Sequence, residues 1–415
     1  MKLLAHKNSG LLFEKIADDS ISTMDSIVRR YKNTFRFYDD DEKDSCYKKW
    51  LEKTSIQEGV RIFPFLTYRN VIIFIMDETS LMHTGTLKST DGCVTTAHCK
   101  MNGYEKVGFE SGGNTGSALT EYGNRSGMET FFFVPEDNLF LLESSLFTSS
   151  KAHLISVKDK SFLKQTSHAF TELFDINHIP KREWRYEASM FRGMFILEYI
   201  LKNHIFDWFV QTISAAFGPI GIYKVLHDYG LARKSIPRFL GVQQKANSPF
   251  FTSWKGKIYD DNDDEEKIMT QVMYDSNPFT YGTYNNFSDL LTSIQGDLCT
   301  VNHEEFYYYV KKELPIPDLL YEKGIQLSIR NEDILEKTGL IAIAGTLKAV
   351  DRGIIPSGTR VLCSLTSGIS RADGKAEPDF RVTDSDKLNE NYLRKKFDLL
   401  CNGRIYRLEE KESKR

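Results

Sequence analysis

The chain has 415 residues, 41% of them hydrophobic, and its 54 Lys and Arg against 57 Asp and Glu leave a net charge of −3. A chain of that length buries a large core and is expected to form two or three lobes of about 100 to 200 residues each. The near balance of charge supplies no field to draw the protein onto nucleic acid or an anionic membrane, so neither partner is expected and any anionic ligand must be met locally.

The opening "MKLLAHKNSGLLFEK" breaks its apolar run after a few residues, short of the roughly 7 to 15 of a signal-peptide core. "VIIFIM" (Val71 to Met76) is far below the roughly 20 residues of a membrane span. Six cysteines lie far apart, at Cys46, Cys93, Cys99, Cys299, Cys363 and Cys401, with no CxxC pair and no histidine spacing for a tetrahedral zinc site. Reduced thiols, no bound metal and a cytoplasmic location are the expectation.

In chain order, buried-type strands are predicted at "NVIIFIM" from Asn70, "TFFFV" from Thr130, "AHLISV" from Ala152, "DWFVQTI" from Asp207, "RFLGVQ" from Arg238 and "TRVLCSL" from Thr359. Each is apolar throughout rather than alternating, as strands covered on both faces are. Helical spacing falls between them, at Ser117 to Gly127, Glu187 to His204 and Leu340 to Gly353. Strand and helix alternate, which predicts an α/β protein with mostly parallel sheets.

The acid-rich "KGKIYDDNDDEEK" (Lys255 to Lys267) lacks the glycine and terminal glutamate of a calcium loop and is expected to be a solvated loop. "EEFYYYVKKE" (Glu304 to Glu313) has aromatics at consecutive positions and no basic groove beside them, so a packing element between lobes is expected rather than a base-stacking platform. The tail "RLEEKESKR" is expected to fray.

Three loops and one lysine could carry chemistry. In "TGTLKSTDG" (Thr84 to Gly92), Lys88 taken alone is a solvated surface charge as readily as a nucleophile. "ESGGNTGSALTEYG" (Glu110 to Gly123) makes a tight glycine turn whose backbone N–H groups, with the following helix and the side chains of Ser111, Asn114 and Thr115, suit an anion. "SAAFGPIGIYKVLHDYG" (Ser214 to Gly230) is a second such turn, with a strand ending near Ser214 and a helix beginning near Ile220, where Pro219 removes one donor. "VLCSLTSGIS" (Val361 to Ser370) runs a strand into Thr366, Ser367 and Gly368, where open α/β sheets bind ligands. Each loop alone reads equally well as a structural connection.

Taken together and in order, the four stretches resemble the fold type II pyridoxal-phosphate enzymes, from about Val71 onward. "IMDETSLMHTGTLKSTDG" is similar to the family's lysine motif, an acidic pair followed by Asn-Pro-Thr-Gly-Ser-Phe-Lys-Asp-Arg-Gly, with Asp77, Glu78, Thr84, Gly85 and Lys88 in register. "SGGNTG" resembles its asparagine loop and "GPIGIYKVLHDYG" its phosphate loop and helix. "EKTGLIAIAGTLKAVDRGIIPSGTRVLCSLTSG" is similar to the C-terminal segment of threonine synthases. Two departures stand out: Ser89-Thr90-Asp91-Gly92 replaces the Asp-Arg-Gly after the lysine, and "GPIGI" has fewer glycines and asparagines than the usual phosphate loop.

The resemblance implies two α/β lobes of mostly parallel sheet with pyridoxal 5'-phosphate in the cleft. The larger would take residues 1–91 and 205–415, the smaller 92–204 with the asparagine loop. Lys88 would be the Schiff-base lysine and then a general base. Asn114 would meet the cofactor's 3-hydroxyl, while Gly218, Pro219, Ile220, Gly221 and Ile222 would hold its phosphate. Thr366 would face the ring nitrogen as a neutral hydroxyl, which favours replacement or elimination over transamination. Thr86, Ser111, Gly112 and Thr115 would bind the amino-acid substrate. A threonine synthase-like reaction on O-phosphohomoserine is the first implication, with Arg192 and Lys151 as candidates to meet the substrate phosphate. The others are a β-replacement synthase on an O-activated serine, like cysteine or cysteate synthase, and a catalytically silent relative that binds a ligand or a partner. A homodimer is usual in the family.

Overall fold

The structure, a computed structural model, describes residues 1–9, 11, 15–203, 206–256, 268–275 and 278–383. The acid-rich run 257–267 and the charged tail lie outside them. The strands β1 (Arg61–Tyr68), β2 (Val71–Asp77), β3 (Lys106–Glu110), β4 (Glu129–Pro135), β5 (Ala152–Val157), β6 (Asn177–His178), β7 (Trp208–Thr212), β8 (Arg238–Gln244), β9 (Asp297–Val301), β10 (Arg360–Leu365) and β11 (Phe380–Val382) build two sheets. Helices of the two units include α1 (Asp41–Thr54), α2 (Lys88–Met101), α3 (Asn114–Arg125), α4 (Leu163–Leu173), α5 (Arg182–Lys202), α6 (Phe217–Asp228) and α7 (Thr338–Asp351).

The described residues divide into two compact units, those of 1–91 with 182–370, and those of 92–181 with 371–383. The larger unit holds the sheet β9-β8-β7-β10-β2-β1, parallel except for the β1–β2 pair. The smaller holds β11-β5-β4-β3-β6, parallel throughout. The α/β class with parallel sheets expected from the sequence is thus what the protein adopts. The apolar runs read as strands are β2, β4, β5, β7, β8 and β10, and among the described residues no helix is long and apolar enough to cross a membrane.

Burial explains why these strands were legible. Every residue of β5 and β7 is buried, and so is every residue of β4, β8 and β10 after the first. Helix α7, buried from Gly339 to Val350, lies on the larger sheet, and Gly345 lets it approach: a Cβ there would stand 2.6 Å from Val242 Cγ1. "EEFYYYVKKE" belongs to the core of the larger unit, where Phe306, Tyr309 and Val310 pack with residues of α7. Strand β1 was silent in the sequence because it is half-exposed and carries Pro64 beside a register shift, a combination an edge strand tolerates.

Two placements depend on packing rather than on pattern. Helix α5 lies in the larger unit because it packs along α6 through two glycines. A Cβ on Gly193 would stand 2.9 Å from Ile222 O, and one on Gly221 would stand 2.6 Å from both Ser189 Cβ and Tyr186 O. Residues 371–383 lie with the smaller unit because β11 pairs in parallel with β5, Phe380 opposite Ile155.

Glu198 anchors α5 to the N-terminal segment. Its carboxylate accepts from Arg30 Nε at 3.0 Å, Arg30 Nη2 at 2.7 Å, Lys202 Nζ at 2.5 Å and the Tyr31 hydroxyl. Burial raises the carboxyl's pKa, but these donors outweigh it and bring Glu198 from 4.5 to about 2. A carboxyl held low in the folded state adds stability above its ordinary pKa and loses it as pH falls through the lowered one. Glu198→Gln is therefore expected to cost about 3 kcal/mol at pH 7, with the difference from the parent shrinking as pH falls from 4.5 towards 2. Urea unfolding across that range measures it.

Candidate functional site

The carboxyl ends of the adjacent parallel strands β2, β10 and β7 gather the chemistry of the larger unit, where ligands bind in open α/β sheets. Asp77 ends β2 and caps the turn that follows, its Oδ1 accepting from Thr79 N at 3.0 Å and Ser80 N at 3.1 Å while Oδ2 accepts from Arg61 Nε at 3.0 Å. Glu78 next to it is fully buried and receives Arg192 in two parallel bonds, Nε at 2.5 Å and Nη2 at 2.7 Å, with Ser364 Oγ of β10 at 2.5 Å. Arg192 Nη2 also donates to Gln211 Oε1 of β7 at 2.8 Å. One guanidinium so ties the ends of three strands to α5.

The lysine turn docks on the same edge. Leu87 N donates to Thr366 O at 3.0 Å, and Gly85, at φ +71°, has Ile369 O 2.6 Å from where a Cβ would be. Ser89 Oγ accepts from Thr84 N at 2.9 Å, Thr86 Oγ1 accepts from Lys88 N at 3.2 Å, and α2 starts at Lys88 itself. Ser89 to Gly92, including the extra residue after the lysine, thus belong to the helix. It places Asp91 three positions on, where its Oδ2 accepts from Lys88 Nζ at 2.8 Å.

The Lys88 side chain keeps 24% of its surface exposed. Its pKa lies below the ordinary lysine value. Desolvation by burial is the largest cause, Arg185 and Arg192 add to it, and Asp91 opposes them. A lysine so placed holds more neutral amine at physiological pH than a surface lysine does, which is what a nucleophile or a general base needs. Thr366 is buried on the neighbouring strand end, its Oγ1 3.4 Å from Thr212 Oγ1. Ser367 Oγ beside it is buried without a partner.

The second glycine turn joins β7 to α6. The strand ends at Thr212 and the helix begins at Phe217, so Ser214 to Ala216 form the turn and residues 219–222 belong to the first turns of the helix. Ala216 holds a left-handed conformation, φ 56° and ψ 16°, and gives no side-chain cap, so the first-turn amides of α6 lack a capping side chain. Gly218 lies directly against Arg192: a Cβ there would stand 2.9 Å from Nη1 and 2.7 Å from Gln211 Nε2. Arg192 is 1% exposed and its Nη1 has no hydrogen-bond partner. Gly221 and Ile222 face α5, Gly221 against Ser189 and Tyr186 and Ile222 fully buried.

An uncapped helix N-terminus with a buried, unpaired guanidinium N–H beside it suits a phosphate, since charge-assisted hydrogen bonds to phosphate are among the strong ones. Arg185, one helical face along from Arg192, stacks over the Phe217 ring at 4.1 Å. Arg185, Arg192 in its ion pair with Glu78, and Asp91 are the site residues that reading the sequence did not find in these roles. The spacing of Arg185 and Arg192 along one helix was the available signal. Lys151 is exposed and donates to Gly127 O at 2.9 Å in the smaller unit, an ordinary loop contact.

In the smaller unit, β3 ends at Glu110 and Ser111 N donates to Phe133 O at 3.0 Å. Gly113, at φ 156° and ψ −91°, is the N-cap of α3 with no side-chain cap, and Asn138 Nδ2 fixes Gly112 O at 2.7 Å. Gly116 is obligatory, because a Cβ there would fall 2.1 Å from the Phe132 ring. Ser111, Gly112, Asn114 and Thr115 are half-buried on this loop, a second helix start open to an anion.

No protein-family model matches the sequence, and no curated protein matches it. Solved structures do match. An O-acetylserine-dependent cystathionine β-synthase from Helicobacter pylori aligns over 79% of this chain and 97% of its own, at 18% identity and a TM-score of 0.56. An O-ureido-L-serine synthase aligns over 75% and 90%, at 14% identity and a TM-score of 0.55. A pyridoxal 5'-phosphate-dependent aspartate racemase aligns over 78% and 94%, at 13% identity and a TM-score of 0.54. These likenesses establish the fold: the chain adopts the parallel α/β fold of the fold type II pyridoxal-phosphate enzymes.

Proposed function

We propose that the protein is a pyridoxal-phosphate-dependent enzyme that performs replacement or elimination on an amino acid with an activated side chain. The observation that carries the reading is the gathering of Lys88, Thr366 and the Arg192-backed start of α6 on the ends of three neighbouring strands. The cofactor has an aldehyde, a ring nitrogen and a phosphate, and this unit presents an amine of lowered pKa, a buried hydroxyl and an anion cradle. When bound, pyridoxal phosphate draws electrons from the α-carbon of the amino acid.

Lys88 supplies the amine that holds the aldehyde and later takes and returns a proton at the α-carbon, with Asp91 orienting its Nζ. Thr366 would face the ring nitrogen with a hydroxyl that cannot protonate it, which suits replacement and elimination. The first-turn amides of α6, Gly218 and the unpaired Arg192 Nη1 take the phosphate. By the resemblance of the motifs, Asn114 would meet the 3-hydroxyl, and Ser111, Gly112, Thr115 and Thr86 would bind the α-carboxylate.

A threonine synthase-like reaction on O-phosphohomoserine remains the first reading, supported by the order of the motifs through Gly368. The second is β-replacement on an O-activated serine, and the names of the cystathionine β-synthase and the O-ureidoserine synthase favour it. Threonine and phosphate released from phosphohomoserine alone would support the first; a new product from O-acetylserine or O-phosphoserine with an added nucleophile would support the second. Protein mixed with pyridoxal phosphate is expected to gain visible absorbance, and borohydride with peptide mapping is expected to place the adduct on Lys88. Lys88→Ala should lose both and at least about 100-fold in activity. Wild-type protein that takes up no cofactor would sink the reading.

Asp91 raises the pKa of Lys88, so Asp91→Asn should lower it and enlarge the neutral-amine fraction at a given pH. The pH profile of cofactor attachment, followed by absorbance, should then shift to lower pH; a shift to higher pH would contradict the assignment of the pair.

Replacing Arg192 alone would strand the Glu78 carboxylate, so the informative variant is Glu78→Gln with Arg192→Gln. It should weaken pyridoxal phosphate by about 10- to 100-fold and leave pyridoxal, which lacks the phosphate, nearly unchanged. Fluorescence titration of both compounds reads the difference.

A further inference from the structure

We propose that Glu110, His168 and His178 form a binding site for one divalent transition-metal ion of the zinc type on the smaller unit. The three side chains come from three elements, β3, α4 and β6, and their ligand atoms all lie within 4.8 Å of one another. Strand β6 pairs in parallel with β3 so that His178 stands opposite Gly108, and Glu110 follows two residues after Gly108. With side chains alternating along a strand, Gly108, Glu110 and His178 share one face of the sheet. Helix α4 covers that face, and Gly108 lets it come close: a Cβ there would stand 2.4 Å from Thr171 Cγ2. His168 lies three residues before Thr171 and so projects from the same side of the helix. The convergence follows from the sheet register and one glycine.

Contacts within the cluster suit an ion. His178 Nε2 stands 2.7 Å from Glu110 Oε2, and the His168 ring stacks on the His178 ring at 3.9 Å and 21°. Structural pairing explains Glu110 and His178, but it leaves an exposed imidazole laid face to face with another. Two imidazoles and a carboxylate are the donor set of a zinc site with an open position, and metal–ligand bonds of about 2.0 to 2.2 Å put tetrahedral ligand atoms roughly 3.3 Å apart. Binding would open the Glu110–His178 hydrogen bond and turn the stacked rings so that one nitrogen of each faces the ion, and water completes the coordination. The Glu110 and His178 side chains keep 13% and 25% of their surface exposed, so an ion reaches them from solvent. Their distance along the chain is why no spacing motif announced them.

The test is calorimetric titration of the untagged protein with Zn²⁺, and visible absorption with Co²⁺, with and without added pyridoxal phosphate. One equivalent of either ion is expected at micromolar concentration, with the intense visible bands of low-coordinate Co²⁺. His168→Ala and Glu110→Gln should each weaken binding at least 10-fold. Cys46→Ser, which removes the exposed thiol among the described residues, should leave it unchanged. Zn²⁺ should raise the melting temperature of the parent and not of His168→Ala. His168 is exposed, so that variant is expected to fold, and its melting temperature without metal verifies this. No binding by the parent, or undiminished binding by both variants, would overturn the site whatever the cofactor result.

Discussion

The buried pair of Glu78 and Arg192 is the constraint around which the larger unit is arranged. Two charges at 0% and 2% side-chain exposure survive only if each is met by the other and by further hydrogen bonds. Meeting them takes the end of β2 for Glu78, Ser364 from β10, Gln211 from β7 and the helix α5 that carries Arg192. The requirement to pair one charge thereby brings three strand ends and a helix together at the edge where Lys88 and Thr366 stand. The N–H of the guanidinium left over points the same requirement at an anion.

Glycine governs how closely the helices approach. Gly193 and Gly221 bring α5 against α6, which puts Arg192 beside Gly218 at the start of α6. Gly116 seats α3 on Phe132 behind the Ser111–Asn114 turn, and Gly108 lets α4 down onto β3. In each case a missing Cβ sets an inter-element distance, and that distance decides which polar side chains meet. The two uncapped helix starts, at α3 and α6, are repeats of one device: a strand, a tight turn and amides turned towards a ligand.

Lys88 shows the same economy at shorter range. The turn before it is held by Ser89 and Thr366, residues of its own helix and of the adjacent strand, and the turn's conformation needs no cofactor to explain it. Asp91, supplied by the residue that departs from the usual motif, gives the ammonium a partner while burial and two arginines push its pKa down.

Much of this was legible in the amino-acid sequence, and the reason is local. Strands buried along most of their length must be apolar throughout, so β2, β4, β5, β7, β8 and β10 declared themselves, and glycines marked both anion loops, although in the second the turn itself is Ser214 to Ala216 and Gly218 and Gly221 lie in the helix. The half-exposed edge strand β1, the attachment of β11 and the membership of α5 left no comparable pattern, because each is settled by a partner distant in the chain. The role of Arg192 and the meeting of Glu110, His168 and His178 belong to the tertiary structure alone. The sequence by itself determined which segments could be buried and where the backbone could turn; only the packed structure decided which charged and metal-binding side chains face one another, since that depends on sheet register and on helix separations of a few ångströms.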